Sequence, residues 1–177
     1  MRTSRTKRRS TKTFFPAIYD SWDTLQREKF QQILEKLGKE FASDLKKKRI
    51  LDIGAGAGYL EDFLAGKNIP AKNVIAIEPD RKMLKSTRNF VLGKAEEMPF
   101  RKGSFDAAFI LDAIHLLNFD GECLKKNGII IVSLFCNDEN TEEKRGMIAE
   151  KLKGFAIQTE FVTDTKEKEI VIVARKK

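Results

Sequence analysis

The N-terminal part of the chain carries apolar residues at helical spacing, and the remainder carries short apolar runs. Between residues 14 and 45, apolar side chains recur at three- and four-residue steps, which predicts an amphipathic helix. We expect this helix to be broken near Gly38, because glycine disfavours a helix interior. The basic segment KKKR then precedes the run ILDI, which predicts a buried strand ending near Ile53. The apolar positions of the predicted helix are Leu25, Phe30, Ile33, Leu34, Leu37 and Phe41.

After Ile53 the pattern alternates between helical and strand-like segments. We predict strands in NVIAIE, NFVL, FDAAFIL, GIIIVSLF, FAIQTEFVT and EIVIVARK. Helices are predicted over residues 59–66 and 81–87, and in AIHLLNFDGECLKK and TEEKRGMIAEKL. Strands separated by helices favour a parallel sheet, while the short link DTKEK makes the last two strands an antiparallel hairpin. The predicted fold class is therefore α/β, with a Rossmann-like, doubly wound, mostly parallel sheet of seven strands.

Length and charge favour one domain with a basic extension. The 177 residues, 41% of them hydrophobic, suffice for a single well-packed core. Residues 1–49 contain 14 Lys and Arg against 6 Asp and Glu, so they account for the whole formal charge of +8. We expect residues 1–13 to form a disordered basic tail, residues 14–45 a helical lid or extension, and residues 46–177 the main domain.

The sequence favours a cytoplasmic protein without a metal site. No apolar stretch approaches the roughly 20 residues that cross a bilayer, and no apolar segment of a signal peptide follows the basic start. One histidine and two cysteines without metal-ligand spacing give no metal centre to predict.

Three glycines alternate with small residues in ILDIGAGAGYL, directly after the first predicted strand. They either permit a tight turn from strand to helix or present bare backbone to a nucleotide-like ligand at the carboxyl end of the sheet. Glu78 ends the next predicted strand, 24 positions after Gly54. At that distance a carboxylate reaches the ribose hydroxyls of a ligand on the glycine loop, although a strand-end acid can also be ordinary surface.

The segment GKAEEMPF, after the third predicted strand, offers a site for an adenine ring. Glu96 lies near the expected adenine edge, while Ala95 and Met98 are candidates to pack on the faces of the ring. The alternative is a polar loop without a ligand.

The order of these motifs resembles the class I S-adenosylmethionine-dependent methyltransferases over about residues 49–134. LDIGAGAG is similar to the first motif of that family, AIEPD to its second-strand motif, and SFDAAFILDAIHLL and LKKNGIIIVS to its fourth and fifth strands. YDSW resembles an N-terminal segment that folds over the cofactor in many relatives, so Tyr19 and Trp22 are expected to pack over it.

The resemblance implies S-adenosylmethionine as the cofactor, with Asp52 at its methionine end. A nicotinamide cofactor is the alternative, but it prefers G-x-G-x-x-G, whereas this chain has G-x-G-x-G after Asp52. The cofactor-binding residues that the resemblance implies are Tyr19, Asp52, Gly54, Ala55, Gly56, Gly58, Glu78, Pro79, Ala95, Glu96 and Leu111.

Asp112 and His115 follow the fourth predicted strand, where a methyl acceptor would approach, and either is a candidate catalytic base. The alternatives are that Asp112 caps the following short helix and that His115 packs on its face. The sequence LDAIH departs from the Asn/Asp-Pro-Pro-aromatic tetrad of many exocyclic-amine methyltransferases of nucleic acids, so that chemistry loses support.

The chain has little sequence to spare for a cap over the acceptor, so an open cleft is expected. The leading hypothesis is methylation of tRNA or rRNA, with RNA bound through the basic tail, although such a tail can also serve only solubility. A small-molecule methyltransferase and an inactive cofactor-binding scaffold subunit are the alternatives. An open cleft suits a large substrate that brings its own surface, or else needs a partner protein to complete it; a homo-oligomer is a further alternative, and no membrane partner is expected.

Overall fold

A computed structural model of the chain describes residues 16–83 and 89–177, with side chains from Trp22 onward. The predicted basic tail, residues 1–13, and most of the helix predicted over residues 81–87 lie outside this range. In chain order the elements are α1 (Pro16–Leu45), β1 (Ile50–Ile53), α2 (Tyr59–Gly66), β2 (Val74–Glu78), β3 (Phe90–Leu92), β4 (Phe105–Leu111), β5 (Leu124–Phe135), α3 (Thr141–Lys151), β6 (Phe155–Val162) and β7 (Glu169–Lys176).

The strands form one sheet in the order β3-β2-β1-β4-β5-β7-β6. β1 pairs in parallel with both β2 and β4, and β3 and β5 continue the parallel pairing outward. β7 runs antiparallel to both β5 and β6, so the last two strands form a hairpin at one edge. A doubly wound, mostly parallel sheet of seven strands with an antiparallel C-terminal hairpin confirms the predicted fold class.

Helices cover the sheet on both faces. Successive strand residues point to opposite sides, so both faces of the central strands present apolar side chains that the helices bury. On one face, Phe30 and Ile33 of α1 and Leu64 of α2 pack with residues of β1, β4 and β5. On the other face, Ile148 of α3 packs with the alternate residues of the same strands. Burial on both faces explains why the central strands are continuous apolar runs rather than alternating ones.

The break predicted near Gly38 is confirmed. Gly38 has a φ of 88° and a ψ of 163° inside α1, a combination that is not helical and that glycine tolerates best. Within the described residues, no helix is long and apolar enough to cross a membrane.

The helix predicted in AIHLLNFDGECLKK is wrong. Only Ile114–Leu116 forms a short 3-10 turn, and β5 already begins at Leu124. Gly121 has a φ of 73°, and a Cβ atom there would lie 2.5 Å from Cζ of Phe155, so the chain turns tightly at a position that only glycine fits. Leu124 then pairs with Phe105 of β4, which places the end of the predicted helix in the sheet.

Candidate active site

A cavity of about 1150 Å³ opens at the carboxyl ends of β1, β2, β3 and β4. The strand order reverses between β1 and β4, which is where doubly wound sheets bind their ligands. The loops after these strands and the side chains of Trp22 and Gln26 from α1 form its walls. The volume suits a ligand of nucleoside size or larger.

The glycine loop forms one wall of this cavity and is fixed by the neighbouring strand. The backbone N–H of Gly54 donates to the carbonyl oxygen of Ile77 at 2.9 Å. Gly54 has a φ of 75°, and a Cβ atom there would lie only 2.8 Å from Cβ of Ala113. Both the backbone conformation and the close approach of the loop after β4 therefore require glycine.

Glu78, at the end of β2, is buried, and two backbone hydrogen bonds orient its carboxylate. One carboxylate oxygen accepts from the N–H of Gly56 at 3.0 Å, and the other accepts from the N–H of Asp80 at 3.0 Å. A carboxylate oxygen has two acceptor sites, so each oxygen of Glu78 retains one for a ligand. The carboxylate is thus held in a fixed orientation beside the glycine loop and lines the cavity.

Most of the cofactor-binding residues implied by the resemblance line this one cavity. Asp52 and Gly58 do not: Asp52 is buried within β1, and Gly58 lies at the N-terminus of α2. The side chain of Tyr19 lies outside the described part of the chain. Met98 packs against the core instead of lining the cavity. The residues that do line it are Gly54, Ala55, Gly56, Glu78, Pro79, Ala95, Glu96 and Leu111.

Glu96 is an exposed member of the lining and is already hydrogen bonded. Its carboxylate accepts from the backbone N–H of Asn118 at 2.7 Å. This hydrogen bond lowers the pKa of Glu96, so its side chain is an acceptor, not a donor, at neutral pH.

An acidic pair lies next to the glycine loop. Burial raises the pKa of Asp52 well above its usual range, and the nearby carboxyl groups of Glu61 and Glu78 raise it further. Burial also raises the pKa of Glu61 to about 7. The positive charge of Lys29 opposes the shift at Asp52. Ionisation of this buried pair is therefore disfavoured.

A second cavity of about 530 Å³ adjoins the first, and the two share Trp22 and Asp112. His115 is exposed and lines only this second cavity. The described geometry therefore does not support packing of His115 on a helix face. The lining residues of the second cavity are Trp22, Asp112, His115, Leu134, Phe135, Lys144, Met147 and Glu167.

Asp112 does not cap a helix. Its backbone has a φ of 56°, and its carboxylate accepts from the N–H of Phe135 at 3.0 Å. The other carboxylate oxygen lies 2.6 Å from Nζ of Lys29, which also lies 2.8 Å from a carboxylate oxygen of Glu169. These contacts tie Asp112 to β5 and α1 rather than to the following turn.

Sequence reasoning missed several residues of the two cavities. Met83 follows β2, Lys94 follows β3, and Leu116 follows β4, and all three line the first cavity. Their position directly after parallel strands was the available signal, because the loops at the carboxyl ends of such strands surround the ligand. Lys29 and Glu169 gave no such signal, since their partners are distant in sequence.

Comparison with known proteins supports the class that the fold and cavity define. Residues 51–132 match a family model described as a methyltransferase domain. No curated protein sequence matches the chain.

Solved structures with the same fold share little sequence with the chain. The PH0226 protein from Pyrococcus horikoshii OT3 is 16% identical, covers 93% of this chain and 100% of its own, and superposes with a TM-score of 0.66. A Thermotoga maritima methyltransferase, described as a possible histamine N-methyltransferase, is 20% identical over 91% of this chain and 96% of its own, with a TM-score of 0.58. A chain from the complex between the Haloferax volcanii Trm112 methyltransferase activator and a methyltransferase is 16% identical. The match covers 89% of this chain and 97% of the other, with a TM-score of 0.54.

The doubly wound sheet, the glycine loop and the cavity where the strand order reverses are typical of α/β proteins that bind nucleotide-like ligands. The match of residues 51–132 to a methyltransferase domain, together with the fold shared with S-adenosylmethionine-dependent methyltransferases, supports the predicted family and its cofactor. The residues fit this cofactor: the close approach of Ala113 leaves no room for a side chain at Gly54, and the Glu78 carboxylate is oriented beside the bare glycine backbone.

Glu169 predicts a pH dependence of stability. Burial raises its pKa from 4.5 to about 7 in the folded protein, where it faces Lys29 and Asp112. The folded state therefore holds a proton that the unfolded state has lost, and stability falls as pH rises from about 4.5 to about 7. The loss is on the order of 3 kcal/mol from this group. Glu169→Gln should remove that part of the pH dependence in urea unfolding measured at both ends of the range, while Glu97→Gln should not. Equal pH dependence in the Glu169→Gln variant and the wild type would contradict this assignment.

Proposed function

We propose that the chain transfers a methyl group from S-adenosylmethionine to RNA. The observation that carries the proposal is the second cavity, which opens beside the first and offers two aromatic surfaces. Trp22 and Phe135 are each 47% exposed and both line it. Half-exposed aromatic side chains are the usual platforms for unstacked bases in RNA-binding sites.

The first cavity would hold the cofactor. The backbone of the glycine loop would lie against the methionine and ribose portions, Glu78 would accept from the ribose hydroxyls, and Glu96 would accept from the adenine amino group. When bound, the cofactor supplies an electrophilic methyl carbon: the acceptor atom bonds to it, the carbon–sulfur bond breaks with its electron pair left on sulfur, and any proton that the acceptor sheds goes to water. Alignment of the acceptor with that carbon is what the protein must provide.

Charge supports a polyanionic substrate. The excess of basic residues is confined to residues 1–49, and the rest of the chain is formally neutral. Lys144 also lies beside the second cavity, with Nζ 5.3 Å from the ring centroid of Phe135. A lysine beside an aromatic surface can contact a phosphate while the ring stacks on a base.

A small-molecule acceptor is the second candidate. The Thermotoga maritima relative is described as a possible histamine N-methyltransferase. The second cavity, at about 530 Å³, is also within the range that small ligands occupy. A partner protein is a further proposal, since one structural relative is found in a complex with the Trm112 methyltransferase activator.

The decisive experiment supplies labelled S-adenosylmethionine and purified protein with RNA from a strain that lacks the gene. We expect labelled tRNA or rRNA, and much less label in RNA from the wild-type strain, whose sites are already methylated. Label in small metabolites but in neither RNA would favour the second candidate. Mass spectrometry of the digested RNA then identifies the methylated nucleoside.

Glu78 predicts a specific loss of cofactor affinity. Hydrogen bonds to a charged group contribute about 1.5–3 kcal/mol, so Glu78→Ala should weaken binding by about 10- to 150-fold. Calorimetry with S-adenosylmethionine measures this directly. Glu97→Ala removes an exposed acid that does not line the cavity and should leave affinity unchanged. Unchanged affinity in Glu78→Ala would remove Glu78 from the site.

The basic tail predicts a salt dependence of RNA binding. Residues 1–12 carry six Lys and Arg side chains, and each contact with a single-stranded phosphate contributes about −0.7 to the log-log salt slope. Deletion of residues 1–12 should flatten the slope by as much as about 4, for any RNA sequence, without changing cofactor affinity. An unchanged slope would mean that the tail does not contact RNA.

A further inference from the structure

Lys29 is a buried cation between two carboxylates. Its side chain is 3% exposed, and Nζ lies 2.6 Å from Asp112 and 2.8 Å from Glu169. Nζ also lies over the ring of Phe30, 5.4 Å from the ring centroid. Burial of an ammonium ion is costly unless it is paired in this way, so the position of Nζ is set by the two carboxylates.

Asp112 is fixed by three contacts and lines both cavities. Lys29 contacts one carboxylate oxygen, the N–H of Phe135 donates to the other, and the N–H of Asp112 itself donates to the carbonyl oxygen of Ser133 at 3.0 Å. The side chain nevertheless remains 37% exposed, and it lines both cavities. The carboxylate therefore has one fixed orientation at the boundary between them.

We propose that Lys29 is a positioning residue of the methyl-transfer site: its ammonium, held by Glu169, fixes the Asp112 carboxylate where the acceptor meets the methyl group. This inference rests on the proposed function in assigning the second cavity to the acceptor. Asp112 is the group that touches the acceptor, and Lys29 acts through it.

The chemistry of Asp112 then limits the acceptor. A carboxylate paired with Lys29 only accepts hydrogen bonds, so it orients an acceptor that presents an N–H or O–H group toward it. Its contribution is therefore alignment of the acceptor.

Lys29 also places the N-terminal half of α1. Trp22, Gln26 and Lys29 are spaced by four and three residues, so they share one face of the helix. Trp22 and Gln26 line the first cavity, one to two turns from the buried ammonium. If Lys29 only stabilised the docking of α1, its replacement would change the environment of Trp22. Measurements on Trp22 can therefore separate a structural role of Lys29 from a positioning role.

The test is a double-mutant cycle on Lys29→Met and Asp112→Asn. Each single variant should lower kcat for methylation by about 10- to 150-fold, the effect of losing a hydrogen bond to a charged group. Because Lys29 acts through Asp112, the double variant should be no slower than the slower single variant. Lys29→Arg should recover part of the rate, and Lys36→Met, an exposed lysine of the same helix, should have wild-type activity.

Two readouts separate positioning from structure. Trp22 is the only tryptophan in the chain, so acrylamide quenching of its fluorescence reports the docking of α1. It should be the same in wild type and Lys29→Met, with cofactor affinity within about threefold, because Phe30, Ile33 and Leu34 still bury that helix. Increased quenching together with lost cofactor affinity would overturn the proposal in favour of a structural role. So would a double variant whose loss in kcat equals the product of the losses in the two single variants.

A measurement without any acceptor keeps this inference distinct from the proposed function. Amide hydrogen exchange of Phe135, whose N–H donates to Asp112, should be at least about tenfold faster in Lys29→Met and close to wild type in Lys29→Arg. If wild-type protein methylates no RNA but this exchange responds, the proposed substrate is wrong and the positioning role of Lys29 stands. Unchanged exchange in Lys29→Met would show that Lys29 does not hold Asp112.

Discussion

Parallel pairing on both sides of β1 is the constraint on which the cavity depends. All four residues of this strand are buried, and they pair with β2 on one side and β4 on the other. The carboxyl ends of the three strands therefore meet at one edge of the sheet. The loops after β1 and β4 separate at that edge and still approach closely where Gly54 faces Ala113. The cavity is the space that this divergence leaves.

Buried acids around the cavity are stabilised unevenly. Lys29 contacts Asp112 and Glu169 and opposes the rise in the pKa of Asp52, whereas burial raises the pKa of Glu61 to about 7. Raised pKa values at Glu61 and Glu169 express the cost of this arrangement. Acids with strongly raised pKa values are often found at functional sites, and Asp52 and Glu61 lie next to the glycine loop.

The sequence was sufficient for the sheet and for most of the lining of the first cavity, because both depend on local patterns. Strands such as β2 and β4 are recognisable from apolar runs bounded by charge or glycine, and Glu78 from its place after one of them. The segment after Asp112 misled because its apolar residues also fit a helix, whereas pairing with β4 decides its conformation. The contact of Lys29 with Asp112 spans 83 residues, and no local pattern could reveal it.

The position of β7 has a consequence for the charged groups around Lys29. β7 follows β6 in sequence but lies between β5 and β6, and β6 pairs with no other strand. β6 is therefore attached to the rest of the sheet through β7. Glu169 is the first residue of β7 and pairs in register with Phe135. The second carboxylate around Lys29 is thus in place only when the C-terminal hairpin is docked against β5, so the ion pairs at the boundary between the two cavities depend on β7.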